Sequence, residues 1–256
     1  MIKNLLMLMI ALISSTSLSS QWKIDKISIG FEYGIKKDFT SFTQNDGGYF
    51  LLPQHDWLGR RFLLGDSYFG GNINIYFKNK FLIDFGIYSH IVAEYDIYYI
   101  PEIENGNSGS SASPFLKYVL GFGRDIKLKG RFYYQPSLLL SFIPTDNGVD
   151  GDWYGTVIGP TIGGYYYHNE LYSYTKNNFT LGLRNTLQWK FNARLNLNFG
   201  FSYNHGLQKF SKADQTLTLT TMPETVYKGE SISRLSHSTL FLSAQYSIWQ
   251  ATKKPK

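Results

Sequence analysis

From Ile27 to Ile248 the apolar side chains fall on alternate residues in one segment after another. This period of two constrains the fold more than any other feature, because it describes extended strands with two unlike faces. Ile27, Ile29, Phe31, Tyr33 and Ile35 share one face, while Ser28, Gly30, Glu32 and Gly34 share the other. The pattern repeats in Phe69 to Phe77 and in Phe81 to Tyr95, on either side of a turn at Lys78, Asn79 and Lys80. Apolar positions are odd-numbered in both arms, so an odd-membered turn is needed to keep them on one side of the sheet. Leu116 to Phe122 and Phe132 to Phe142 form the next pair, joined through Arg124 to Gly130. Phe179 to Trp189 and Leu195 to Tyr203 follow, joined at Phe191, Asn192 and Ala193, and Leu240 to Ile248 closes the series. Helical spacing is hard to find in the mature chain, and no segment there has the roughly 18 consecutive apolar residues of a membrane helix. Any membrane span is therefore built from strands.

Two weaker segments decide the strand count. Tyr154 to His168 reads as extended, and Thr216 to Met222 alternates Thr and Leu. Including both predicts ten strands, and leaving both in loops predicts eight; a single-chain bacterial barrel closes with an even number. Ten is the expectation. Long polar connections are expected at Lys36 to Gly65, Pro101 to Ser113 and Pro144 to Trp153, joined for eight strands by much of Gly206 to Arg234. Glu104 to Ser113, rich in Gly, Ser and Asn, reads as a mobile loop.

Alternation alone does not say which face meets water, since a soluble β-barrel or β-sandwich also alternates. The chemistry of the polar face does. A wetted strand surface is rich in Lys and Glu, whereas here that face is mostly Gly, Ser, Thr, Asn and Gln. Charged residues make up 17% of the chain, against roughly 25% in an ordinary soluble domain. The few ionisable groups on the polar face, Glu32, Asp84, His90, Glu94, Lys117, Arg184 and Arg194, are expected to form a lumen network. Tyr95, Trp189, Tyr203, Tyr246 and Trp249 stand towards strand ends, as interfacial aromatic girdles do. The prediction is an all-β, closed, antiparallel transmembrane β-barrel over Gln21 to Trp249, its lumen too narrow for a wide pore.

The first twenty residues read as a cleaved signal peptide: Lys3, an apolar run from Leu5 to Ile13, then small polar residues to Ser20. Gln250 to Lys256 form a basic C-terminal tail. The absence of cysteine excludes disulfides, thiolate metal sites and a lipoprotein anchor. The formal charge of +6 reads as spread through loops and turns, without the clustered stripe of a nucleic-acid groove.

The signal peptide, the alternating segments, the short turns and the closing Leu240-x-Leu242-x-Ala244-x-Tyr246-x-Ile248 strand together resemble the small outer-membrane β-barrel family, the kind that includes the OmpA membrane domain and OmpW-like proteins. The resemblance implies a Gram-negative outer-membrane location, both termini in the periplasm, and contact with outer-membrane lipids, lipopolysaccharide and the barrel assembly machinery. It also implies an extracellular ligand or partner protein met through the loops. In many such proteins the final residue is an aromatic read during assembly; here Trp249 is followed by seven more residues.

Candidates for chemistry are sparse. His237 beside Ser238, and His205 beside Asn204, are the nearest material for a barrel esterase, but adjacent strand residues point to opposite faces. His55 and Asp56, with Asp146, Asp150 and Asp152, lack the spacing of a calcium loop and read as solvated turn residues. His90 and Glu94 share a face at about 13 Å. Tyr165, Tyr166 and Tyr167 read as part of a girdle, and no glycine-rich stretch opens a helix that could hold a phosphate. No catalytic residue, metal or cofactor is expected. The expected role is structural or loop-mediated binding and adhesion, with a lipid-modifying or proteolytic barrel enzyme, or a narrow channel for small or hydrophobic solutes, as alternatives.

Overall fold

The computed structural model describes residues 23–45, 67–100, 105–144, 151–159, 163–173, 177–219 and 222–251. Side chains are described for most of these, apart chiefly from 42–45, 91–114, 151–173 and 219–225. The elements, in chain order, are β1 (Ile24–Asn45), β2 (Ser67–Phe77), β3 (Phe81–Ile100), β4 (Asn105–Arg124), the two-residue β5 (Ile126–Lys127) and β6 (Phe132–Pro144). They continue with β7 (Gly151–Gly159), β8 (Gly163–Ser173), β9 (Asn177–Lys190), β10 (Leu195–Gly206), β11 (Ser211–Leu219) and β12 (Met222–Gln250). Eight of them close a ring in the order β1-β2-β3-β4-β6-β9-β10-β12 and back to β1, every neighbour antiparallel.

The expected ten-stranded ring is therefore corrected to eight. Both weak segments are strands, but they pair outside the ring. Above the end of β10 at Gly206, β11 takes over as the neighbour of β12, β8 pairs with β11, and β7 pairs with β8. The handover is marked by an irregularity in β12: the partner of Phe39 is Ser236 and that of Thr40 is Ser233, so Arg234 and Leu235 are extra, and Leu235 has φ of 59°. Gly206 is pressed against this bulge, where a Cβ would lie 1.5 Å from the Arg234 carbonyl oxygen. The extension beyond the ring is a sheet of β1, β12, β11, β8 and β7.

Two expected loops are strand as well. Lys36 to Asn45 continues β1 against β12, and Asn105 to Ser113 continues β4 against β3. Backbone ladders make these pairings and need nothing from side chains, so Gly, Ser and Asn join where a neighbouring strand is already extended. His55, Asp56, Asp146 and Asp150, with the expected signal peptide and residues 252–256, lie outside the described residues.

The short turns and the first and last described residues, Lys23 and Ala251, share one end of the ring. Lys78 N donates to the Lys23 carbonyl, Asp125 N to that of Lys80, Lys190 N to that of Arg131, and Ala251 N to that of Asp25. In the β9–β10 turn the Asn192 side chain accepts from Arg194 N at 2.8 Å and Leu195 N at 2.7 Å, a local bond that stops the strand and reverses the chain.

Polarity across the wall is inverted relative to a water-soluble fold. Leu242 is 64% exposed and Phe31 57%, while Asn196 is 2% exposed and Gln188 fully buried. The outward apolar stretch runs nine to eleven residues, eight to ten steps of the strand, on β1, β6, β9, β10 and β12. At about 3.3 Å per residue and a tilt of about 40°, that makes a band about 20–25 Å tall, the height of a bilayer's hydrocarbon zone on such barrels.

Candidate functional site

The interior is filled in layers, and each layer is built by residues of one parity on several strands. Nearest the short turns, Tyr76 of β2 donates to Gln245 of β12 at 3.0 Å and accepts from Gln188 of β9 at 3.2 Å, and Gln135 of β6 donates to Asp125 at 2.9 Å. Ser28 and Ser247 meet at 3.2 Å, and Asn198 donates to Ser243 at 3.0 Å. These groups, amides and hydroxyls with the Asp125 carboxylate, bond to one another across the barrel, while Gln188 Oε1 and Asn198 Oδ1 are buried without a protein partner.

The middle layer is an ionic knot. Arg184 of β9 reaches Asp84 of β3 at 2.8 Å through Nη1 and Glu32 of β1 through Nη2. Tyr68 donates to Glu32 at 2.6 Å, and the Arg184 guanidinium stacks 4.3 Å from the centre of the Phe241 ring. Tyr68, Tyr88, Val119, Leu139 and Phe241 pack together as an apolar cluster inside the ring. Interior glycines leave room for these rings: a Cβ on Gly86 would meet the Tyr88 ring at 2.3 Å, and one on Gly200 would meet Phe241 at 2.3 Å.

Above the knot, Lys117 of β4 lies 2.7 Å from His237 Nε2 on β12, and His237 Nδ1 lies 2.8 Å from the Leu235 carbonyl oxygen. With Lys117 as donor, His237 accepts at Nε2 and donates from Nδ1 to the Leu235 carbonyl. His90 stacks edge-on against His237 at 4.7 Å, and Lys36 pairs with Asp38. Ile143, Leu235 and Phe210, with Phe115 against them, cap this layer. Among the described side chains of the middle and upper layers, Lys36, Lys117 and Arg184 stand against Glu32, Asp38 and Asp84, three of each sign.

A cavity bordered by Tyr88, His90, Lys117, Arg184 and His237 has a volume of ≈ 20 Å³, room for about one water. Asp38, His90 and His237 hold donor atoms within 4.8 Å of one another, the spacing of a metal site. Two lysines already stand at this group, Lys117 against His237 Nε2 and Lys36 against Asp38 Oδ2, and they would repel a further cation.

Of the residues expected in a lumen network, Glu32, Asp84 and Arg184 come together, and His90 and Lys117 join Lys36, Asp38 and His237 one layer up. The Glu94 and Tyr95 side chains lie outside the described ones. Arg194 is a correction: it is exposed in the β9–β10 turn and donates to Tyr246 at 3.1 Å on the outer surface. It precedes the first residue of β10, so strand alternation does not govern it. Trp189, Tyr203, Tyr246 and Trp249 all stand on the outer wall, 38–45% exposed. His205 is exposed on that wall while His237 is sealed inside, so these two histidines cannot share a substrate.

Charge placement is a second correction, because the surplus is gathered at one end. Around the short turns stand Lys23, Lys26, Lys78 and Lys80, then Arg124, Lys127, Lys129 and Arg131, then Lys190 and Arg194. Asp25 and Asp125 are the carboxylates among them, a surplus of eight. The whole chain carries +6, so everything else sums to about −2.

No family model matches the chain, and no curated protein does. Among solved structures it is similar to Neisserial surface protein A at 11% identity, covering 88% of this chain and 99% of that one with a TM-score of 0.43. It is also similar to the outer membrane protein OprG from Pseudomonas aeruginosa, at 8% identity, 90% and 99% coverage and a TM-score of 0.46. The outer membrane protein AlkL is similar at 12% identity, 93% and 97% coverage and a TM-score of 0.32. No function passes across likenesses this distant.

Proposed function

We propose that this chain is an outer-membrane barrel of Gram-negative type whose ring is an anchor and whose work is structural or adhesive, done by the strand extension and surface loops at the end opposite the short turns. One observation carries this reading: an apolar outer wall of bilayer height encloses an interior of packed rings, amides and cations set against carboxylates. The wall asks for lipid, since open sheet edges are excluded there and a closed ring has none. The packed interior supports an anchor in preference to a conduit. The extension supports a binding role, because it carries paired backbone beyond the lipid band. Within it Lys212 donates to Asp214 at 2.7 Å and lies 3.0 Å from Glu230; these two hydrogen bonds hold its ammonium above the usual lysine range and tie β11 to β12.

In planar bilayers the purified chain should insert without reproducible unitary conductance steps. Steps of constant size would replace the anchor with a channel. The reading assigns no residue to catalysis, and turnover of lipid or peptide that is lost on replacing His55, Asp56 and His205 would favour a barrel enzyme.

A further inference from the structure

The cationic belt at the short-turn end is continuous. Backbone hydrogen bonds seat Lys78 beside Lys23, Asp125 beside Lys80, and Lys190 beside Arg131. One ion pair is found within the belt among the described residues, Lys190 with Asp125 at 3.8 Å. Lys78, Lys80, Lys127 and Lys129 are exposed and take part in none. Like charges this close repel one another, so four unpaired ammoniums beside six further cations call for an anionic counterpart.

What shares the belt's level says where that counterpart lies. Phe81, Ile126, Leu128, Phe132 and Phe191 are 38–50% exposed among the same turns. Arg124 lies 5.3 Å from the centre of the Phe81 ring, both residues having the outward parity of their strands. A soluble polyanion would meet the charges but leave those side chains in water. A lipid leaflet meets both, with acyl chains on the rings and phosphates at the ammoniums, and lysine stems can reach along apolar surface to the headgroups.

Resting on the membrane reading above, we propose that this rim selects anionic phospholipid headgroups from the leaflet it borders. A zwitterionic headgroup offers the same phosphate with its own cation attached and gains little at a rim already rich in cations. A net anionic phosphodiester releases the repulsion, and salt should weaken the preference.

The test uses the full chain reconstituted in phosphatidylcholine vesicles with spin-labelled phosphatidylglycerol or spin-labelled phosphatidylcholine, reading the motionally restricted fraction of each. The wild type should favour phosphatidylglycerol at least fivefold, falling towards parity in 0.5 M NaCl. The variant K78Q/K80Q/K127Q/K129Q should insert, shown by the gel-mobility shift of a folded barrel, and lose most of the preference. Parity in the wild type, or an undiminished preference in the inserted variant, overturns the proposal while leaving the membrane reading intact. Loss of the preference in 10 mM inorganic phosphate at constant ionic strength assigns the rim to soluble anions and overturns it too. If the four-fold variant fails to fold, K127Q/K129Q carries the test, with about half the loss expected and none overturning. A wild-type chain that inserts into neither vesicle sinks both readings together.

Discussion

Arg184→Leu is expected to destabilise the folded barrel by about 3–5 kcal/mol, because it leaves two carboxylates buried without their cation. Glu32 and Asp84 are 2% and 4% exposed, on strands β1 and β3, and the guanidinium of β9 is the group that joins them. Breaking one partner of a buried ionic cluster is far more damaging than replacing the whole of it, since the remaining charges have neither water nor a counter-ion. The same chain with Glu32→Gln and Asp84→Asn added should therefore recover most of the loss. Urea unfolding of vesicle-inserted protein, followed by tryptophan fluorescence, measures both. A loss below about 1 kcal/mol for Arg184→Leu, the size of a solvent-screened pair, would mean that water reaches the knot and the barrel has an open axis.

Leu242→Arg should cost about 2–4 kcal/mol, the range for a cation near the midplane on the lipid face of a barrel. Leu242 is 64% exposed and lies between Tyr33 of β1 and Phe199 of β10, near the middle of the apolar band. In a water-soluble protein an exposed leucine changed to arginine has almost no effect. Leu128→Arg, equally on the outside but among the rim cations, should cost about 0–1 kcal/mol because the interface is wet. Equal, negligible costs at the two positions in the same urea measurement would remove lipid from the account.

Parity was the legible part of this fold. Which residues face out, from Ile27 to Ile248, and where the three short turns fall can be read from the chain because both are local properties. Strand length was less legible: Asn105 to Ser113 has a loop's composition, and its pairing is set by β3, whose register the segment itself does not encode. Membership of the ring was not legible either. Thr216 alternates with its neighbours as well as many ring residues do, yet β11 stands above the ring because β10 already occupies the place beside β12.

The interior was half readable. Glu32, Asp84 and Arg184 stand out as rare ions at the inward parity, whereas Tyr68, Tyr76, Tyr88 and Phe241 fill that parity with large rings that a polar–apolar reading passes over. The signal was present in Gly70, Gly86 and Gly200, small residues of inward parity that leave space for a ring from the same or a neighbouring strand. Arg194 misled because alternation was carried into a turn. The basic rim was invisible in a linear charge count, since Lys23, Lys78, Lys129 and Arg194 meet only once the ring is closed.

The central claim is that leucine and phenylalanine of this wall face lipid while asparagine and glutamine are enclosed. Since the chain has no cysteine, single cysteines at 240 to 246 of β12 can each carry a nitroxide in vesicle-inserted protein. Collision with dissolved oxygen should be high at 240, 242, 244 and 246 and low at 241, 243 and 245, a period of two in phase with the apolar residues. The opposite phase, or high collision with a water-soluble nickel complex at 242 and 244, would contradict the account.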